Sequence, residues 1–177
     1  FVNAVTALDE VVRQSPPWQM TRPADRVAFS PAGGLIATAT DDSNTVQLWD
    51  TANGAAQLTL AGHTARVYLL AFNTDGTRII TASDDKTVRL WDVDTGEVLL
   101  ARPADRVTVS ADGARLVTTQ ANTIQLWDTA TGKALLTLPS PSASLTLLQA
   151  NLDGTRIITA SEESGIAHLW DTATGKQ

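Results

Sequence analysis

The sequence predicts an all-β protein, a β-propeller of four-stranded antiparallel blades with four blades in the chain. Three observations carry this. Trp-Asp pairs recur at Trp49-Asp50, Trp91-Asp92, Trp127-Asp128 and Trp170-Asp171, 36 to 43 residues apart, and each ends a short apolar, β-branched run. A turn with glycine precedes each pair, at Gly33, Gly76, Gly113 and Gly154. Longer segments also return: RPADRV at 22–27 reappears at 102–107, and DGTRIITAS at 75–83 reappears at 153–161. A strand-ending motif at a period near 40 residues marks sheets that stack as blades, because one such sheet cannot bury both of its faces alone. The repeats suggest a duplicated pair of blades about 78 to 80 residues long, the first like the third and the second like the fourth.

Each blade reads in the same order. An inner strand comes first, at 27–29, 67–72, 106–109 and 145–150, followed by the glycine turn, which supplies positive-φ hairpin geometry. The second strand is apolar and β-branched, at 35–40, 78–83, 115–120 and 156–161. The third ends on Trp-Asp, at 45–50, 87–92, 123–128 and 166–171, and an Asn-Gly or Thr-Gly turn leads to an outer strand such as 57–60. Residues 1–16 are read as an N-terminal helix or linker, with Val2, Val5, Leu8, Val11 and Val12 near helical spacing and Pro16-Pro17 as the stop. The blades are taken as 17–60, 61–100, 101–138 and 139–177. The chain starts at Phe1 and is read as a piece of a longer polypeptide or a processed product.

With the Gly62-His63 pair, the FNTDG run at 72–76 and the SDD run at 83–85, these residues resemble the WD-repeat (WD40) family over roughly residues 17 to 177. The resemblance implies a hydrogen-bonded tetrad of histidine, serine, aspartate and tryptophan, here His63, Ser83, Asp85 and Trp91. Such a tie makes physical sense, since a buried indole N–H, hydroxyl and imidazole each need partners. The other blades depart from the pattern: the fourth has Pro141 and Glu163 where histidine and aspartate are expected, and the first and third lack a Gly-His pair. All four keep the tryptophan, so Trp49, Trp91, Trp127 and Trp170 are read as structural. In this family a terminal strand commonly completes the last blade. That part falls here to Trp18, Gln19 and Met20, expected to pair with 167–171.

Four blades raise the question of closure. A half-ring would leave two apolar faces in water, more than soluble monomers usually tolerate, and two half-rings about a twofold axis would bury both. The expectation is an eight-bladed homodimer, with a truncated array as the rival.

Composition narrows the function. The formal charge of −6 argues against nucleic-acid or anionic-membrane partners, which select a basic face. Cysteine is absent, which removes disulfides and thiolate chemistry and fits a cytoplasmic setting. The histidines are His63, assigned to the tetrad, and His168. The acidic pairs Asp41-Asp42, Asp84-Asp85 and Glu162-Glu163 lack the ligand spacing of a calcium loop, and neither a G-x-S-x-G elbow nor a phosphate loop occurs. No enzyme, cofactor or metal is therefore expected.

Arg26, Arg66 and Arg106 stand just before the inner strands, where the fourth blade has Ser144. Two readings are open. They form a rim of guanidiniums that grips an acidic peptide, or they pair locally, as Asp25 and Asp105 invite. Tyr68 joins them as a rim-binding candidate of unsettled direction. The resemblance implies a protein-interaction scaffold with a protein or peptide partner, in the manner of the sensor part of a larger bacterial signalling protein. The alternatives are a small-ligand or glycan-binding propeller, and a structural or engineered repeat fragment with no ligand.

Overall fold

The computed structural model describes residues 24–142 and 145–177. The helix expected near 2–14, the closing strand at Trp18, Gln19 and Met20, and Ser144 lie outside the described residues. Among those residues there is no helix. The first sheet orders β1 (Arg26–Phe29), β2 (Leu35–Ala39), β3 (Thr45–Asp50) and β4 (Ala56–Ala61). The second orders β5 (Val67–Phe72), β6 (Arg78–Ser83), β7 (Thr87–Asp92) and β8 (Val98–Pro103). The third orders β9 (Arg106–Val109), β10 (Arg115–Gln120), β11 (Thr123–Asp128) and β12 (Ala134–Pro139). The fourth has three strands, β13 (Leu147–Ala150), β14 (Arg156–Ser161) and β15 (Ile166–Asp171). All strand pairs are antiparallel, as hairpins joined by short turns must be.

The aspartate of each Trp-Asp pair closes the turn that follows. Asp92 Oδ1 accepts the Asp94 and Thr95 N–H groups, and Asp128 and Asp171 bind Thr131 and Thr174 in the same way. The other carboxylate oxygen of Asp92 takes Arg78 at 2.7 Å, and that of Asp128 takes Arg115 at 2.8 Å, which fastens the third strand to the second. In the first sheet Leu35 replaces that arginine, and Asp50 takes Gln57 instead. A bulge opposite Trp49, Trp91 and Trp127 places one extra residue on each outer strand, and at the second and third it leaves Leu99 and Leu135 facing water.

Three apolar layers join the four sheets. Ala37, Val46, Leu48 and Leu60 of the first sheet meet Phe72, Ile79 and Trp91 of the second. Ile80, Val88, Leu90 and Leu100 meet Leu116 and Trp127 of the third. Val117, Ile124, Leu126 and Leu138 meet Leu148, Ile157 and Trp170 of the fourth. Trp91, Trp127 and Trp170 thus each pack against the sheet before their own, which contributes roughly 1.5–3 kcal/mol per large side chain. Trp91, Trp127 and Trp170 are buried, whereas Trp49, on the first sheet, is half-buried.

Candidate functional site

The tryptophan of each Trp-Asp pair is also held by a hydrogen bond. Trp49, Trp91, Trp127 and Trp170 donate Nε1–H to Thr38, Thr81, Thr118 and Thr159, at 2.8, 2.8, 2.9 and 3.0 Å. The register explains the recurrence: Trp91 stands opposite Ile79 and Thr81 opposite Arg89, so indole and hydroxyl share one sheet face two residues apart.

In the second sheet the tie extends further. His63 Nε2 lies 2.7 Å from Thr81 Oγ1, and His63 Nδ1 lies 2.8 Å from Asp85 Oδ2. Ionised Asp85 can only accept, so the neutral His63 ring carries its proton on Nδ1 and gives it to Asp85, and Thr81 donates to Nε2 while accepting from the indole. Burial pushes the His63 pKa below its ordinary value of 6.5, against the raising pull of Asp85. Burial alone would raise Asp85, but bonds from Thr87, the Thr64 N–H and His63 outweigh it and hold the carboxyl below the usual range. Gly62 precedes this histidine because a side chain there would press on Trp91 and on the Arg89 guanidinium stacked over it.

The hydroxyl in this network is Thr81, and not the expected Ser83. Ser83 sits two residues further along β6, donates to the Ala65 carbonyl at 2.9 Å and accepts the Asp85 N–H. It orients the turn that carries Asp85 without touching the ring. Residues of like parity on a strand share a face, so composition alone left Thr81 and Ser83 equal candidates.

The three arginines do not form a free cationic rim. Arg26 Nε donates to the Tyr68 carbonyl of the next sheet at 3.0 Å, and Arg106 Nε donates to the Leu145 carbonyl. Arg66 binds Asp84 at 2.9 Å and approaches Asp41 at 3.6 Å, while Arg26 lies 3.8 Å from the same Asp41. The carboxylates that pair are therefore Asp41 and Asp84. Asp25 and Asp105 instead accept the backbone N–H groups of Asp41 and Ala121. Nor are the three positions equivalent. Arg26 faces Ala39 and Arg106 faces Thr119, but the residue opposite Ala82 is Leu69.

Arg66 thus stands three residues before the equivalent position, Leu69, and a bulge at Tyr68 accounts for one of the three. Val67 pairs with Ser83 and Leu69 with Ala82, so Tyr68 is an inserted residue, a bulge on β5. No such shift interrupts β1, β9 or β13. A bulge turns a side chain out of its alternating direction. Tyr68 is thereby half-buried in a recess of about 480 Å³ lined with Asp84, Asp105, Arg106, Val107 and Leu147, a cleft that draws on the second, third and fourth sheets. Burial, then the charge of Asp84, raise the Tyr68 phenol pKa against the pull of Arg106, which keeps it a hydrogen-bond donor. Its hydroxyl makes no hydrogen bond among the described residues. The recess offers one donor phenol, one guanidinium, two carboxylates and an apolar floor. Such a lining suits a ligand that brings both polar signs and an apolar group, as a peptide segment does. No cluster of three or more potential metal ligands occurs among the described residues.

The family profile described as WD domain, G-beta repeat, matches residues 25–50 and 54–92. The chain is 33% identical over 100 residues to eukaryotic translation initiation factor 3 subunit I of Debaryomyces hansenii, covering 54% of this chain and 28% of that protein. It is 36% identical over 87 residues to the guanine nucleotide-binding protein subunit beta of Schizosaccharomyces pombe, covering 49% of this chain and 27% of the relative. It is 37% identical over 67 residues to the periodic tryptophan protein 2 homolog of the same yeast, covering 38% and 8%. The matched segments thus span less than a third of these relatives. Repeated Trp-Asp strand ends, tryptophan–threonine ties in every sheet and the matching repeat profile agree: residues 25–50 and 54–92 are WD40 repeats, and the two later sheets are built to the same plan.

Proposed function

We propose that this chain is a non-catalytic protein-interaction scaffold that holds a short segment of a partner protein in the recess at Tyr68. The observation that carries the reading is the Tyr68 bulge. It sets the chain's single tyrosine, its hydroxyl without a partner among the described residues, beside Arg106, Asp84 and Asp105, on the one inner strand that carries a bulge among the described residues. Aromatic and arginine side chains in partly desolvated pockets are the usual energetic centres of protein interfaces. Two of the relatives are named as subunits, which favours assembly over catalysis. The net charge of −6 favours protein over nucleic acid or an anionic membrane as the partner. The same reading takes the working unit to be a pair of chains, because both terminal sheets leave apolar side chains in water.

Selection from a random-peptide display library on the immobilised chain tests the recess. Enriched peptides should lose binding at least tenfold on Tyr68→Ala and on Arg106→Ala while both variants keep the wild-type circular dichroism. Peptides that bind both variants as well as wild type would place the interaction elsewhere.

A further inference from the structure

The three joints inside the chain are built alike. In each, the glycine turn of one sheet rests on the sheet before it. Gly76 approaches Ser30 and Pro31, Gly113 approaches the backbone of Phe72 and Asn73, and Gly154 approaches Ser110 and Arg115. A side-chain carbon at Gly113 or Gly154 would overlap the sheet on which it rests. A hydrogen bond crosses two of these joints beside the glycine: Thr74 Oγ1 donates to the Asp112 carbonyl at 2.8 Å, and the Asp112 N–H donates to the Leu152 carbonyl at 3.0 Å. The first strand adds two apolar side chains facing the preceding sheet, Leu70 and Phe72 in the second sheet, Val107 and Val109 in the third, Leu148 and Ala150 in the fourth.

The first sheet has the same parts with no other described sheet against them. Gly33 closes the same four-residue turn from Ser30 that Gly113 closes from Ser110, yet no atom lies within 4 Å of the position a side chain would take. Val27 and Phe29, opposite Thr38 and Ile36 in register as Leu70 and Phe72 are opposite Thr81 and Ile79, are 55% and 65% exposed. The fourth sheet has the complementary half. Asn151 and Arg156 occupy the places of Asn73 and Ser110, and of Arg115, that receive the glycine elsewhere. Beside them Ile158 and Leu169 are 36% and 56% exposed, although the corresponding Ile80 and Leu90 are wholly buried. Between these residues runs a groove of about 250 Å³ lined with Ala150, Asn151, Arg156, Ile158 and Leu169.

We infer that this groove is a formed seat for the first sheet of a second copy of the chain, entered by the Gly33 turn with Val27 and Phe29. The occupant follows from the three internal joints, each of which puts this same turn and strand on this same face. The chain's own first sheet does not reach the groove, since both ends stand uncovered at once. Contact is head to tail, so two copies that engage both ends close on each other without a free face. The inference rests on the paired reading given above and specifies its joint.

Cysteine scanning tests it, because the chain has no cysteine of its own. Ala32 corresponds to Asp112 and Leu152 to Thr74, so Ala32→Cys and Leu152→Cys lie where one of the internal hydrogen bonds crosses. A mixture of the two single variants is expected to give a disulfide-linked heterodimer under mild oxidation, absent from either variant alone. Light scattering of the unmodified chain is expected to give twice 18.8 kDa. Ile158→Asp with Leu169→Asp, on exposed side chains, should return the mass to that of one chain and abolish the cross-link with the circular dichroism unchanged. A single-chain mass at every concentration overturns both the pairing and the joint. A doubled mass without the cross-link leaves pairing standing and overturns the joint. An intramolecular disulfide in the Ala32→Cys, Leu152→Cys double variant overturns the second copy as occupant.

Discussion

Thr81 and Trp91 share a proton-ordered contact: the indole N–H points at the threonine oxygen, and the threonine proton goes to the bare Nε2 of neutral His63. Replacing Thr81 by alanine strands a buried indole donor and a buried imidazole acceptor together. The expected loss is about 2–4 kcal/mol in urea unfolding, since each stranded buried group costs about 1–3 kcal/mol. Ser83→Ala removes a hydroxyl bonded only to backbone and should cost about 1 kcal/mol. A Ser83→Ala loss equal to or larger than that of Thr81→Ala would return the serine to the centre of the network.

The same threonine in the third sheet does less. Thr118 accepts from Trp127 at 2.9 Å, and no histidine extends that contact. Thr118→Val is expected to lose about 1–2 kcal/mol, the cost of one unsatisfied indole N–H, against a larger loss for Thr81→Val. Equal losses in the two sheets would mean that His63 and Asp85 add nothing to the Thr81–Trp91 contact.

Stability should fall in mild acid through His63. The folded protein binds the His63 proton more weakly than the unfolded chain, so added protons favour unfolding. The contribution is complete above about pH 6.5, the unfolded value, and is lost as pH falls through the lower folded one. Asp85, also held low, adds its own loss only below its ordinary 3.8. Melting temperatures from pH 8 to 5 should decline for the native sequence, and His63→Gln should remove that decline while lowering the melting temperature at pH 8. A decline of the same size in the variant would show that His63 is not its source.

Strand order and the sheet repeat were legible because they rest on local chemistry: β-branched alternation, glycine turns and the Trp-Asp stop each act within a few residues. The pairing of Trp91 with a threonine was hidden by parity, since Thr81 and Ser83 face the same way and differ only in depth along the strand. Arg66 looked equivalent to Arg26 and Arg106 because each precedes a valine. Its three-residue offset, one residue of which is the Tyr68 bulge, depends on how β5 aligns with β6, a relation between strands rather than within one. Likewise the recess and the groove gather residues from separate strands and loops, and only packed sheets reveal them.

Glycine at two like turns should answer differently to the same substitution. Gly113 has φ +76° and rests on the Phe72 carbonyl of the sheet before it, so alanine there meets both backbone strain and overlap with a fixed strand. The expected loss is about 2–5 kcal/mol, from roughly 1–2 for the left-handed backbone and 1–3 for the forced displacement. Gly33 has nearly the same φ, +72°, with open space around it, so alanine costs the chain only the backbone part, about 1–2 kcal/mol. Urea unfolding of dilute single chains measures both. In concentrated samples Gly33→Ala should also weaken the association of copies, which an isolated chain cannot register. If Gly33→Ala and Gly113→Ala lose the same stability in dilute solution, then the contact of Gly113 with the preceding sheet carries no energetic weight.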